Sequence, residues 1–155
     1  MPVLRDTASK DLYNLERFVR AQDPEYSEVC SELSSGRKDG HWMWYVFPQL
    51  RGLGKSQMST EFGISCLEEA KAYLNHPVLG QRLIECTNLV LRVKGKSATE
   101  IFGATDEMKF RSSMTLFAAA ESSFRLVFEI ALQRYFDGAP DRLTLSRLKS
   151  SPSSA

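Results

Sequence analysis

Between Pro77 and Gly95, apolar side chains recur every three to four residues: Leu79, Leu83, Cys86, Val90 and Val93. That spacing lines all five along one stripe of an α-helix, whereas a strand would scatter them over both faces. The same period returns at Leu12, Leu15, Phe18 and Val19, at Tyr26, Val29, Cys30 and Leu33, and at Val127, Phe128, Ala131, Leu132 and Tyr135. Between these stretches stand helix breakers and starters: Asp23-Pro24, Ser34-Ser35-Gly36, Pro77, Gly95, Gly138 and Pro140. Asp11 is placed to cap a first helix running to Gln22. Ser65 with Glu68, and Ser97 with Glu100, have the spacing of capping boxes. A helix from Thr105 or Asp106 to Ala120 is expected to turn Met108, Met114 and Phe117 inward. These signals predict an all-α fold: a single compact multihelical domain of seven or eight helices with no substantial sheet. Residues 1–10 read as an N-terminal extension and 11–148 as the helical domain. Residues 149–155 read as a flexible polar tail, because SSPSSA has nothing to bury.

The bulk numbers narrow the function classes. With 155 residues, 43% of them apolar and 25% charged, the chain can bury one core unaided, and disorder is excluded as its overall state. Twenty basic and 19 acidic residues leave a net charge of +1, which gives no global reason to expect nucleic acid or an acidic membrane as a partner. No apolar run approaches the ~20 residues of a membrane span. Met1–Lys10 is short and polar, unlike a secretory leader. Cys30, Cys66 and Cys86 are odd in number and fall in apolar-periodic stretches, the pattern of reduced thiols in a cytoplasm. His41 and His76 are the only histidines and neither has metal-ligand spacing, so no metal and no cofactor are expected. His76, directly before Pro77, reads as a cap or surface residue. No nucleophile–base pair stands out, so no catalytic residue is assigned and enzymatic activity is left open.

Two segments could carry chemistry. Gly36–Ser56, GRKDGHWMWYVFPQLRGLGKS, holds four glycines, both tryptophans and five basic residues counting His41. Its Trp42–Phe47 run reads as a short helix or irregular buried segment, since no second strand exists to pair with it. Trp42 is expected to be its more exposed ring, because it follows Lys38-Asp39-Gly40-His41. Gly52-Leu53-Gly54-Lys55-Ser56 is similar to the end of a P-loop, but Gln49 stands where the motif needs its first glycine and Pro48 spoils the preceding strand. What remains is a glycine-hinged loop suited to an anion. The second segment is Asp106–Thr115, where Lys109, Ser112 and Ser113 share one side of a helix and Asp106 lies one turn before Lys109. If the two segments meet, Arg37, Lys38, His41, Trp42, Gln49, Lys55, Asp106, Lys109, Ser112 and Ser113 make one cationic pocket for a phosphorylated or nucleotide-like small molecule. The alternative is a non-enzymatic interaction module, for which the sequence names no protein partner.

Several blocks resemble a known family: AQ at 21–22, residues 36–56, AYLNHPVLGQRL at 72–83, IFGATDEMKFRSSMTLF at 101–117, and D-x-x-T-L at 141–145. They are similar to a bacterial domain-of-unknown-function family whose members sometimes carry the label "calpastatin". The resemblance spans about residues 11–148 and implies a compact multihelical domain with no established activity. Calpastatin repeats themselves are disordered inhibitors, unlike this globular composition. The block order is also similar to that of the helical NADAR family, named for a proposed link to NAD and ADP-ribose. In both, an aromatic segment comes first, then a helix with P-x-L-x-x-x-L, then an aromatic-Gly turn followed by Asp, here Phe102-Gly103 and Asp106. That fold-level likeness implies a nucleotide-like ligand and N-glycosidase-like hydrolysis.

Overall fold

A computed structural model describes residues 11–150. The expected extension 1–10 and the tail beyond Ser150 lie outside the described residues. The chain forms α1 (Glu16–Gln22), α2 (Tyr26–Ser35), α3 (Met43–Val46), α4 (Gln57–Glu61), α5 (Leu67–Asn75), α6 (Leu79–Arg92), α7 (Ala98–Phe102), α8 (Ala104–Ala119), α9 (Arg125–Phe136) and α10 (Arg142–Ser150). A 3-10 turn at Asp23–Glu25 joins α1 to α2, with Pro24 in its first turn. The fold is therefore all-α: among the described residues there are seven helices of seven residues or more and three short ones, α3, α4 and α7. The one β-like feature among the described residues is an isolated parallel bridge between Leu50 and Ile64. There, Ile64 N–H donates to the Gln49 carbonyl at 2.9 Å and Arg51 N–H donates to the Ile64 carbonyl at 2.8 Å.

The stripe that predicted α6 is the stripe it buries: Leu79, Leu83, Cys86 and Val90 are in the core. Helix α8 runs through the middle, against α5, α7, α9 and α10. Aromatic rings bind these layers together. Phe110 of α8 stacks on Phe102 at 4.7 Å and meets Phe47 edge-on at 5.1 Å. Tyr73 of α5 joins Phe18 of α1 at 5.1 Å to Phe117 of α8 at 5.3 Å, and Phe117 packs on Phe128 of α9. Each fully buried ring of this kind contributes roughly 2–3 kcal/mol. The α3 run enters this core as a short helix. Its Tyr45 carbonyl accepts from the buried Gln22 amide, which also donates to the Tyr73 hydroxyl.

Four local expectations are corrected. Trp42 is 1% exposed and Trp44 is the half-buried ring, because the Trp42 indole N–H donates inward to Glu32 at 2.9 Å. Met108 is 66% exposed; Met114 and Phe117 turn inward as expected, and Phe110 and Ser113 are buried with them. The first helix starts at Glu16, although the Asp11 carboxylate does accept from the Leu15 and Glu16 N–H groups. The capping box expected at Ser65 and Glu68 is not formed: the residue at the helix cap is Cys66, which makes no side-chain capping bond, and Ser65 turns to Glu69 instead. The Ser65 N–H and hydroxyl both donate to Glu69 at 2.8 and 2.7 Å. Glu69 wins because its other oxygen pairs with Arg17 at 3.1 Å, a partner Glu68 lacks. The second box, Ser97 with Glu100, is present as expected.

Candidate functional site

The two chemistry-bearing segments do meet, and backbone geometry brings them together. Gly36 ends α2 in the left-handed region at φ +75°, and the Lys38 N–H then donates to the Ile101 carbonyl at 2.8 Å. Gly103, at φ +88°, ends α7 and lets α8 begin at once. Lys38 thereby lies beside the first turn of α8. Its ammonium pairs with Asp106 at 2.7 Å, donates to the Gly40 carbonyl at 2.6 Å and lies 5.0 Å over the Trp42 ring. Asp106 is shared, since Lys109 reaches it at 3.3 Å and lies 5.1 Å over the Trp44 ring. A carboxylate at a helix N-terminus is favoured by the dipole as well.

Glu32 closes the cluster from the α2 side. It accepts from the Asp39 and Gly40 N–H groups, each at 2.9 Å, and from the Trp42 indole. Burial opposes its charge, yet those donors and nearby Lys38 hold its carboxyl below the ordinary glutamate value. Two ammoniums thus face two carboxylates. Lys38, 7% exposed and held by a carboxylate, a carbonyl and an indole face, acts as a structural clasp, whereas Lys109, 20% exposed, has donors to spare.

The other expected site residues are dispersed. Arg37 points to solvent and pairs only with Asp39, at 3.5 Å, among the described residues. His41 is exposed, and Lys55 is exposed in the loop before α4. Gln49 and Trp44 border a recess of only about 10 Å³, and no residue of the 106–115 segment lines it. Ser112 and Ser113 are buried, and the Ser113 hydroxyl has no hydrogen-bond partner among the described residues.

A roomier cleft lies beside the same segment. About 290 Å³ opens between Arg51 and Arg147, floored by Leu50, Cys66 and Leu148 and rimmed by Ser65 and Ser150. Arg51 is held by donation to the Thr60 and Gly63 carbonyls. The Leu50–Ile64 bridge brings it alongside Ser65. Arg147 rests on Gly52, whose φ is +101°; a Cβ there would fall 2.3 Å from the guanidinium. Two cationic forks therefore flank the cleft with no carboxylate among its lining residues.

The block at 141–145 is structural. The Asp141 carboxylate caps α10 by accepting from the Thr144 N–H at 2.9 Å and its hydroxyl at 2.5 Å, while the Asp141 N–H donates to Thr115 of α8. A family described as "Protein of unknown function (DUF1810)" matches residues 12–148, so these blocks and nearly the whole domain fall inside it. The chain belongs to DUF1810. Its fold is similar to the crystal structure of the conserved hypothetical protein Rv1873 from Mycobacterium tuberculosis at 1.38 Å. The two are 53% identical with a TM-score of 0.89, over 91% of this chain and all of that one. No curated protein matches the sequence. Sequence reasoning on this DUF1810 chain missed Arg51, Arg147 and Ser65. Arg51 lay inside the glycine-rich block, but nothing in the linear order pointed to Arg147, some 95 residues later, as its neighbour. Among the described residues no group of three or more His, Cys, Asp or Glu side chains could hold a metal, and no helix is long and apolar enough to cross a membrane.

Proposed function

We propose that this protein binds a small phosphorylated molecule, nucleotide-like in class, with its anionic group between Arg51 and Arg147. One observation carries the reading: two guanidiniums flank about 290 Å³ of open space whose lining holds hydroxyls and no carboxylate. A guanidinium is permanently charged and matches phosphate oxygens two at a time. Arg51 is pre-oriented by two carbonyls, so little freedom is lost when an anion arrives. Reduced thiols at Cys30, Cys66 and Cys86 fit a cytoplasmic setting for such a ligand.

A second reading puts the ligand at Lys109 and Trp44, favoured by an ammonium that spends one hydrogen bond on Asp106 beside a half-buried indole. Asp106 would then be the carboxylate available for N-glycosidase-like hydrolysis, the chemistry the NADAR likeness implies. Titration calorimetry with inorganic phosphate, AMP and ADP-ribose, plus chromatography for a released base, tests both. Arg147→Ala should weaken binding by about 1.5–3 kcal/mol, roughly 10- to 100-fold, and Lys109→Ala should leave it unchanged. The reverse pattern selects the second reading. No heat with any of the three ligands on the parent protein sinks both.

A further inference from the structure

Helix α9 packs on α8 and α6 and buries Phe128, Ala131 and Leu132. By helical periodicity its opposite side carries Leu126 and Ile130, one turn apart, and both stand in solvent at 65% and 41% exposure. Phe124, the residue before the helix, is exposed as well. Arg125 and Glu129 run along one side of this ridge. Both are half-exposed, with the Arg125 Nε 3.4 Å from a Glu129 carboxylate oxygen. On the other side Arg134 turns back onto the protein, its guanidinium donating to the Leu91 carbonyl of α6 at 2.5 Å. We propose that this face joins two copies of the chain in a two-fold symmetric dimer with the α9 helices antiparallel, Leu126 of each copy against Ile130 of the other and Arg125 of each against Glu129 of the other.

The order of charges along the face selects this occupant. Reversing the helix direction exchanges position 125 with 129 and 126 with 130. An antiparallel second copy therefore sets cation on anion and leucine on isoleucine at every position of the ridge. A parallel copy would set Arg125 on Arg125 and Glu129 on Glu129, and facing like charges repel. The two-fold axis repeats each contact, so both intermolecular ion pairs form in the same event. Each Arg125 keeps the Glu129 of its own helix and gains a second one, so the existing pair is extended and not broken. A net charge of +1 leaves two copies with little overall repulsion. Two leucines and two isoleucines leave water on association, which supplies the driving force. The ridge is short, so the expected dissociation constant is on the order of 10–100 µM. None of Arg125, Leu126, Glu129 and Ile130 lines the Arg51–Arg147 cleft, so the dimer does not rest on the anion-binding reading.

The test is sedimentation equilibrium of the full chain from ~5 µM to ~1 mM. The mass should climb from 17.5 kDa towards twice that value as concentration rises. Ile130→Glu and Leu126→Glu should each hold the chain at monomer mass. Their far-ultraviolet circular dichroism should match the parent's, because both side chains stand in solvent. Arg125→Glu and Glu129→Arg should each weaken self-association by about tenfold or more. An equimolar mixture of those two variants should dimerise at least as well as the parent, since every facing pair is then opposite in sign. A parent that stays at monomer mass up to ~1 mM leaves the ridge to some other partner and overturns the proposal. So does a dimer that Ile130→Glu leaves intact, or a mixture that associates no better than either variant alone.

Discussion

Asp106 holds more of the structure than its size suggests. It is the only acidic group that pairs with both Lys38 and Lys109 among the described residues. Lys38, at 7% side-chain exposure, cannot regain solvation by swinging outward. Removing the carboxylate strands a buried charge, a loss far larger than that of an exposed pair. Asp106→Ala should therefore cost on the order of 3 kcal/mol in urea denaturation, and adding Lys38→Met should recover much of it. A double variant no more stable than the single one would show that the clasp is not electrostatic. The residue types at this clasp were legible in the sequence, as was the meeting of the two segments. Their saturation was not. Counting cations cannot reveal that a nearby Glu32 and a shared Asp106 cancel them, because the contacts run between α2 and α8 across some 70 residues of chain.

At the scale of elements, the short helix α7 depends on its cap. Its five residues make few internal hydrogen bonds, so the Ser97–Glu100 exchange at 2.8 and 3.1 Å supplies much of its definition. Ser97→Ala should lower stability by about 1 kcal/mol, read from the denaturation midpoint, whereas Ser65→Ala acts through Glu69 and its Arg17 pair instead. Apolar period and caps made the long helices readable. Helix α6 runs Leu79–Arg92, as its stripe required, and His76 caps it by accepting from the Val78 and Leu79 N–H groups. Helix α8 was harder, because it is buried on nearly all sides and carries no single apolar face. Three of its buried residues, Ser112, Ser113 and Thr115, are polar, which hid its inward side.

The whole molecule is joined by rings that cross from helix to helix. Phe18, Tyr73, Phe117 and Phe128 link α1, α5, α8 and α9 in sequence. Phe102, Phe110 and Phe47 tie α7, α8 and the end of α3 into the same core. No group of helices owns a separate hydrophobic centre, so unfolding should be one cooperative event. Near- and far-ultraviolet circular dichroism should give coincident thermal transitions, and a gap between them would mean that part of the bundle melts alone.

The contrast between the two tryptophans has an optical consequence. Trp42 is sealed in the core with its indole N–H on Glu32, while Trp44 is half-buried under the Lys109 ammonium. One excitation wavelength therefore addresses two reporters in different surroundings. The emission of Trp42 follows the integrity of the interior and is shielded from collisional quenchers. That of Trp44 is open to iodide and to anything that displaces Lys109, so the fraction of light that a quencher can reach measures the occupancy of that surface without a label.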